Sequence, residues 1–415
     1  MNGWRDIKLK EVSEYVTVGF VGSMADQYVE AGVPFLRSLN IHPFRLNYND
    51  LKYIPESFHD AIKKSKLRPG DVAIVRTGYP GTACVIPADL PDANCSDLVI
   101  LRPGPDLNPH YIAAVFNSSF GQSLVGGNLV GAAQQHFNVT VAKELKLRLP
   151  PRAEQDKIAA VLVGLNDLIA NNQRRIALLE SMAEEIYREW FVRLRFPGYT
   201  VSSFDKGLPK GWSSTPLGQL IGETKRPVKK SDLAGHTRYV GLEHISRKSV
   251  ALTMHGAPES VESDKLAFFA GDILFSKIRP YLHKVALAHF DGICSTDTLV
   301  LSPKRQDFRE FALLTVFSET FIEIANTASK GTKMPRADWH FLKQLRVSVP
   351  SDPLLARFNT MVKPMLDEIA SLIHLNETLA KQRDALLPRL ISGKLRVDAL
   401  DIQFPPSMQP PSEAA

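Results

Sequence analysis

Two stretches of the chain place apolar side chains alternately three and four residues apart, for longer than a globular helix needs. Residues 152–192 carry Ile158, Leu162, Leu165, Ile169, Ile176, Leu179, Ala183, Ile186 and Trp190; the second stretch carries Val362, Met365, Ile369, Leu372, Leu379, Leu386 and Leu390. That rhythm is a coiled-coil seam, interrupted by Asn172 in the first run and by Asn376 and Arg383 in the second. No Gly or Pro falls within 165–192 or 365–387, so each run predicts one long helix. A lone polar residue in a seam either sets register or lies at its margin, and for Asn172 and Asn376 both readings stand.

Ahead of each long helix the pattern shortens to runs rich in Val, Ile and Leu, bounded by Gly, Pro and Asp. PFLRSLNI, DVAIVRTG and DLVILRP precede the first helix; RYVGLEHI, DILFSKI and DTLVLSP precede the second. These read as strands. Helical stretches follow (YIAAVFNSSFGQSLV and FALLTVFSETFIEIAN), then a polar loop and a last short strand ending in proline. The two series align at an offset of about 200: Gly70-Asp71 falls over Gly271-Asp272, and GAAQQHFNVTVAKELKLRLPP (131–151) over GTKMPRADWHFLKQLRVSVPS (331–351). The chain is therefore an internal repeat. The expected fold is α+β, with two homologous mixed α/β domains joined by two long antiparallel coiled-coil helices about a pseudo-two-fold axis. The expected boundaries are 1–150 and 197–350 for the domains, 151–196 and 351–397 for the helices, and 398–415 for a disordered tail.

Charge sharpens the picture. The chain has 415 residues, 50 basic and 44 acidic, and residues 198–349 alone carry 21 basic and 15 acidic side chains, equal to the whole net charge of +6. Lys225, Arg226, Lys229 and Lys230 lead that excess and are candidates for non-specific phosphate contacts. Cys84, Cys95 and Cys294 are sparse and form no CxxC, which excludes a disulfide framework and a standard zinc site. No apolar run reaches the ~18 residues of a membrane span, and MNGWRDIKLKEV does not read as a signal peptide, so a cytoplasmic protein without membrane contact is expected.

Chemistry of the chain's own is not found in the sequence. Asn108-Pro109-His110-Tyr111 reads as a helix cap, not as an amino-methyltransferase motif. Neither GxxxxGK[ST] nor HExxH occurs, and Asp71 and Asp272 are expected to cap turns rather than hold a metal. A non-catalytic chain binding no cofactor or metal is expected.

Several passages resemble the specificity subunits of type I restriction-modification systems, over about residues 4–397. The most specific is GAAQQHFNVTVAKELKLRLPPRAEQDKIAAVL (131–162), followed by EEIYREWFVRLRFPG (184–198), LPKGWSSTPLGQL (208–220) and LLPRLISGKLRV (386–397). The second copy departs at VPSDPLLARF (349–358), which lacks the double proline and the Glu-Gln pair. The resemblance implies that each domain is a target recognition domain reading one half of a bipartite, asymmetric double-stranded DNA site. It implies that the helices act as a spacer and dock two modification subunits, which methylate adenine with S-adenosylmethionine. Restriction subunits would add ATP- and Mg-dependent translocation and cleavage. The alternatives are a coiled-coil scaffold or a targeting subunit of another DNA-modifying system.

Base reading needs directional donors and acceptors. In the first domain the candidates are Arg37, Ser38 and Asn40, then Arg76, Thr77 and Tyr79, then Gln134, Gln135 and His136. The matching positions in the second are His244, then Lys277, Arg279, Tyr281 and His283, then Lys333 and Arg336. Tyr187, Trp190 and Phe191, at the end of the first helix, either dock a partner or pack on the following domain.

Overall fold

The computed structural model describes residues 3–128, 136–205, 207–329 and 334–408. It has two compact units, Met1–Ala170 with Thr378–Ala415, and Asn171–Glu377. In unit 1 a four-stranded sheet runs in the order Ser13–Val18, Leu98–Pro103, Val72–Val75, Ala83–Val85, all antiparallel. A second sheet runs Lys52–Ile54, Val33–Leu36, Ala93–Cys95, Lys66–Leu67, with Ala93–Cys95 parallel to Val33–Leu36. Arg5–Lys8 pairs with Lys146–Leu149, so the start of the domain is tied to its last strand.

Strand periodicity builds the layers. Val72 and Ile74 face the core shared with the helix Pro109–Asn117, whereas Ala73 and Val75 face Leu36, Leu67 and Cys95 of the second sheet. Both faces are covered, which is why this strand is an unbroken apolar run. Asn108 caps the helix Pro109–Asn117 by accepting from the Tyr111 N–H at 3.0 Å, with Pro109 as its first residue.

Unit 2 repeats the plan. Its first sheet runs Ile221–Glu223, Thr298–Pro303, Ile273–Ser276, Val285–Leu287, and Ser213–Pro216 pairs with Arg346–Val349. Ile273 and Phe275 face the helical core while Leu274 faces Val240, Phe268 and Cys294. The second sheet differs at its edge. Unit 1 adds Lys52–Ile54 beside Val33–Leu36, whereas unit 2 adds Pro227–Val228 beside Lys265–Phe268, on the opposite side of the shared three strands.

The long helices are Arg152–Tyr187, continued by a π-helical turn at Arg188–Val192, and Asp352–Ile391. In unit 1, Ile158 and Leu162 share a core with Leu387, Leu390 and Ile391, and the Arg383 guanidinium donates to Asn166. In unit 2, Ile176 and Ala183 share a core with Leu366, Ile369 and Leu372, and Asn172 donates to Asn376 at 2.9 Å. The two asparagines that interrupt the seams thus satisfy each other. With the Arg175–Glu368 ion pair, they fix antiparallel pairing in unit 2.

One open choice is decided and one expectation is corrected. Tyr187, Trp190 and Phe191 are buried among Phe311, Phe358 and Trp212, so of their two readings the structure shows packing on the following domain. The expected disordered tail is laid on unit 1 through Met408. Ile402 and Met408 cover its core, the Ser407 hydroxyl donates to Asp167, and Lys157 donates to the Asp398 and Leu400 carbonyls. A few apolar residues among the prolines give the tail enough to bury.

Candidate nucleic-acid interface

Each unit ties three loops together at one end of its sheets. The first loop follows Leu36 or Val240, the second follows Val75 or Ser276, and the third precedes the short helix Val139–Glu144 or Trp339–Leu342. In each unit a backbone bond ties the first loop to the hairpin that carries the second, at acceptors two places apart. Phe44 N–H donates to the Ala83 carbonyl at 3.1 Å, and Lys248 N–H to the His283 carbonyl at 2.9 Å. Phe44 and Lys248 both have left-handed backbone, φ 65° and 52°. The second and third loops are joined likewise. Phe137 N–H donates to the Arg76 carbonyl at 3.1 Å, and Ala337 N–H to the Lys277 carbonyl at 2.8 Å.

One cation in each unit strengthens that junction. Arg76 pairs with Asp97 and donates from Nε to the Phe137 carbonyl at 3.0 Å. Lys277 lies 3.7 Å from Asp297 and donates to the Thr296 carbonyl at 2.6 Å, while Arg336 approaches Asp297 at 3.4 Å. Arg76 and Lys277, expected to read bases, are bound into the loops' frame, because the aspartate before the next strand leaves a charge to be matched.

Several other candidates are also frame. Asn40 is fully buried, accepts from the Arg37 N–H at 2.9 Å and donates to the Asn47 carbonyl. His244 does the same work in unit 2, its Nδ1 accepting from the Gly241 N–H at 3.0 Å. Arg37 is turned onto Asp50, and Lys52 with Arg37 holds the Asp50 carboxyl down at about 2. His283 is buried, donates to the Phe317 carbonyl at 2.7 Å and lies against the Phe317 ring; burial pushes its pKa down. A polar side chain in a loop can satisfy backbone as readily as face solvent, and here Asn40, His244 and His283 do the former.

Arg226, expected as a phosphate contact, is engaged within its own unit. It pairs with Asp272 at 2.8 Å and stacks on Phe269, at the start of the strand Ile273–Ser276 and so at the end away from the second loop. Asp272 caps its turn by accepting from the Phe269 N–H, as Asp71 does from Arg68. Lys225 extends outward at the same end, within 3.5 Å of Glu223, and Lys229 and Lys230 are exposed beyond the edge strand. Facing outward from the loops are Tyr79, Arg279 and Tyr281, with Ser38, Thr77, His136 and Arg336 half-covered or at the rim. Gln134, Gln135 and Lys333 lie outside the described residues.

The sequence reading passed over a basic recess in unit 1. Lys63, Lys64, Lys66, Arg68 and Arg102 line a cavity of about 470 Å³ with Glu14 and Tyr15. The run KKSKLR (63–68) signals it, but the near-neutral total of the domain hides it. Arg102 is held by Asp71 through two bonds of 2.8 Å and Lys66 by Asp60 at 2.7 Å. Among the described residues no group of His, Cys, Asp and Glu could hold a metal ion, and no helix is long and apolar enough to cross a membrane.

Fold and loops together define a tandem of two like α+β domains, each presenting a three-loop surface and each packed on paired long helices. Type I restriction enzyme specificity subunits are similar to this chain. The MjaIX type I restriction enzyme specificity subunit of Methanocaldococcus jannaschii is 26% identical over 284 residues, 65% of this chain and 65% of that one. The EcoDI specificity subunit of Escherichia coli is 24% identical over 302 residues, 62% and 67% of the two chains. The matched stretches thus span about two thirds of these relatives. The crystal structure of a type I restriction-modification S subunit from M. genitalium superposes with a TM-score of 0.57 at 14% identity, covering 94% of this chain and 96% of that one, which shows a shared fold. No family model matches. The chain resembles type I restriction enzyme specificity subunits in sequence and in fold.

Proposed function

We propose that this chain is the DNA sequence-specificity subunit of a cytoplasmic type I restriction-modification complex. Each three-loop surface reads one half of a bipartite, asymmetric site on double-stranded DNA. The long helices set the gap between half-sites and dock two modification subunits, to which restriction subunits are added. Catalysis, with its S-adenosylmethionine, ATP and Mg, belongs to those partners, and this chain supplies none.

One observation carries the reading. The two copies keep the same bond between second and third loops, Phe137–Arg76 and Ala337–Lys277, and both tie the left-handed Phe44 or Lys248 of the first loop to the hairpin of the second, yet they present different side chains from this frame. Retained frame with altered tips is what two readers of unlike sequences require. Its test is sequencing of methylated motifs in the host. Deleting the gene removes one bipartite motif, and exchanging residues 1–150 for a related domain replaces one half of that motif and leaves the other intact. A motif set unchanged by deletion, or altered in both halves by the exchange, overturns the proposal.

A further inference from the structure

The second loop of each unit is bracketed by two residues with left-handed backbone. In unit 1 they are Gly78 (φ 84°) and Gly81 (φ 90°); in unit 2 they are Arg279 and His283, both at φ 51°. Glycine adopts this conformation freely, whereas a residue with a Cβ does so against steric cost. The second copy keeps the turn without the glycines that make it easy. Strain retained in this way points to a function for the turn's shape.

The base of each turn is seated on a helix. A Cβ on Gly81 would lie 3.0 Å from Gln122 Nε2 and 3.2 Å from Val125 Cγ2, so the helix Ser119–Gly126 leaves no room there. In unit 2 the His283 side chain occupies that place and bonds to the Phe317 carbonyl. The tips are free. Tyr79, beside Pro80, is 83% exposed, and Tyr281, beside Pro280, is 54% exposed. Unlike sequences (GYPG and RPYLH) thus deliver the same product, a stiff turn holding one tyrosine out from the loop surface.

We propose that Tyr79 and Tyr281 are paired aromatic probes, each stacking its ring on a base of its own half-site. The inference rests on the DNA reading above and assigns it a division of labour. In a duplex the faces of a base pair are already stacked, so the ring enters as a wedge that partly opens one base step; it positions the reader without choosing the sequence, while neighbours such as Arg279 and Thr77 supply directional contacts. The ring is the working part and the hydroxyl is dispensable.

The test uses the full chain with its modification subunits and a duplex bearing the methylated motif, with 2-aminopurine placed in turn through each half-site. Tyr79→Ala is expected to weaken binding by about tenfold or more and to abolish the fluorescence change in one half-site only. Tyr281→Ala is expected to do so in the other, while Tyr79→Phe and Tyr281→Phe behave as wild type. Both positions are exposed, so unchanged thermal melting shows that the variants are folded. Full affinity in the Ala variants overturns the inference alone, as does a Phe variant that falls as far as its Ala counterpart. Failure of the wild-type complex to prefer the motif overturns the DNA reading and the probes with it.

Discussion

Where the first long helix begins, Gln155 is completely buried; 200 residues later Leu355 occupies the matching place, equally buried. The Gln155 amide donates to the Asp106 and Pro150 carbonyls, both at 2.9 Å, and accepts from the Asn108 N–H. Opposite Leu355 the second copy has Phe308, which packs on the same core and leads into the helix Arg309–Phe317 without a side-chain cap. A polar pair in one unit is an apolar pair in the other. Duplicated domains can therefore exchange the chemistry of a junction if both partners change together. The turn aspartates show the same rule. Asp71 is matched by Arg102 on the neighbouring strand; at Arg102's position the second copy has Ser302, and the cation arrives instead from Arg226 on another segment.

The strongest way to break this comparison is to change one partner alone. Gln155→Leu removes the donor from the buried Pro150 carbonyl and the part-buried Asp106 carbonyl, and the acceptor from the buried Asn108 N–H, so unit 1 should lose ~2–4 kcal/mol. Adding Asn108→Phe should restore part of that loss, because the pair then resembles Phe308 and Leu355. Hydrogen exchange in the strands Val72–Val75 and Leu98–Pro103 measures both. A single variant as stable as wild type, or a double variant worse than the sum of the singles, would show that the junctions are not interchangeable.

Much of this architecture is legible from sequence, and the rest is hidden for identifiable reasons. The seams of the long helices, the duplication, the buried strands and the capping roles of Asn108, Asp71 and Asp272 all rest on local pattern, and local pattern survives without tertiary knowledge. The edge strands do not: Lys52–Ile54 and Pro227–Val228 join opposite sides of their sheets, and neither carries a signal for which side. Nor does a string of letters show whether a loop's polar residue faces in or out. Asn40 and His244 hold the first loop and His283 supports the second, while Tyr79 and Tyr281 project. Asn40 gave one usable sign, since asparagine after a strand often bonds its own backbone. Arg226 gave none, because its partner Asp272 is 46 residues away.

A second comparison can be sharpened by giving the first turn a Cβ at its left-handed position and removing one from the second. A Cβ at Gly78 would meet nothing within 4 Å, so Gly78→Ala tests left-handed strain with no steric clash. The expected loss in unit 1 is ~1 kcal/mol. Arg279→Gly should stabilise unit 2 by ~0.5 kcal/mol, since the relief is partly offset by the greater freedom of glycine in the unfolded chain. Denaturant titration checks both, and a stabilising Gly78→Ala would remove strain as the explanation for the shared turn.

The smallest expected difference is in response to acid. In unit 1, Lys10 and Lys8 hold the Glu144 carboxyl down at about 2, and Lys52 with Arg37 does the same for Asp50. At Glu144's position unit 2 has Gln344, a neutral amide with no carboxylate to titrate. Unit 2 also contains Glu180, which burial pushes above the ordinary glutamate value even though Ser249, Val250 and Ala251 donate to it. A carboxyl whose folded pKa is depressed contributes stability above its unfolded pKa and loses it as pH falls through the folded value. Glu144 and Asp50 should therefore weaken unit 1 as pH drops from the ordinary carboxylate range to about 2. Glu180 works in the opposite direction: its raised pKa favours the protonated form in the folded state, so its cost disappears on acidification. Hydrogen exchange along a pH series should show the unit 1 strands opening before those of unit 2, with Glu144→Gln flattening the acid limb of unit 1. Because the Glu144 pairs are exposed, salt should flatten it too. If unit 2 opens first, or Glu144→Gln leaves the limb unchanged, the acid asymmetry does not come from these carboxylates.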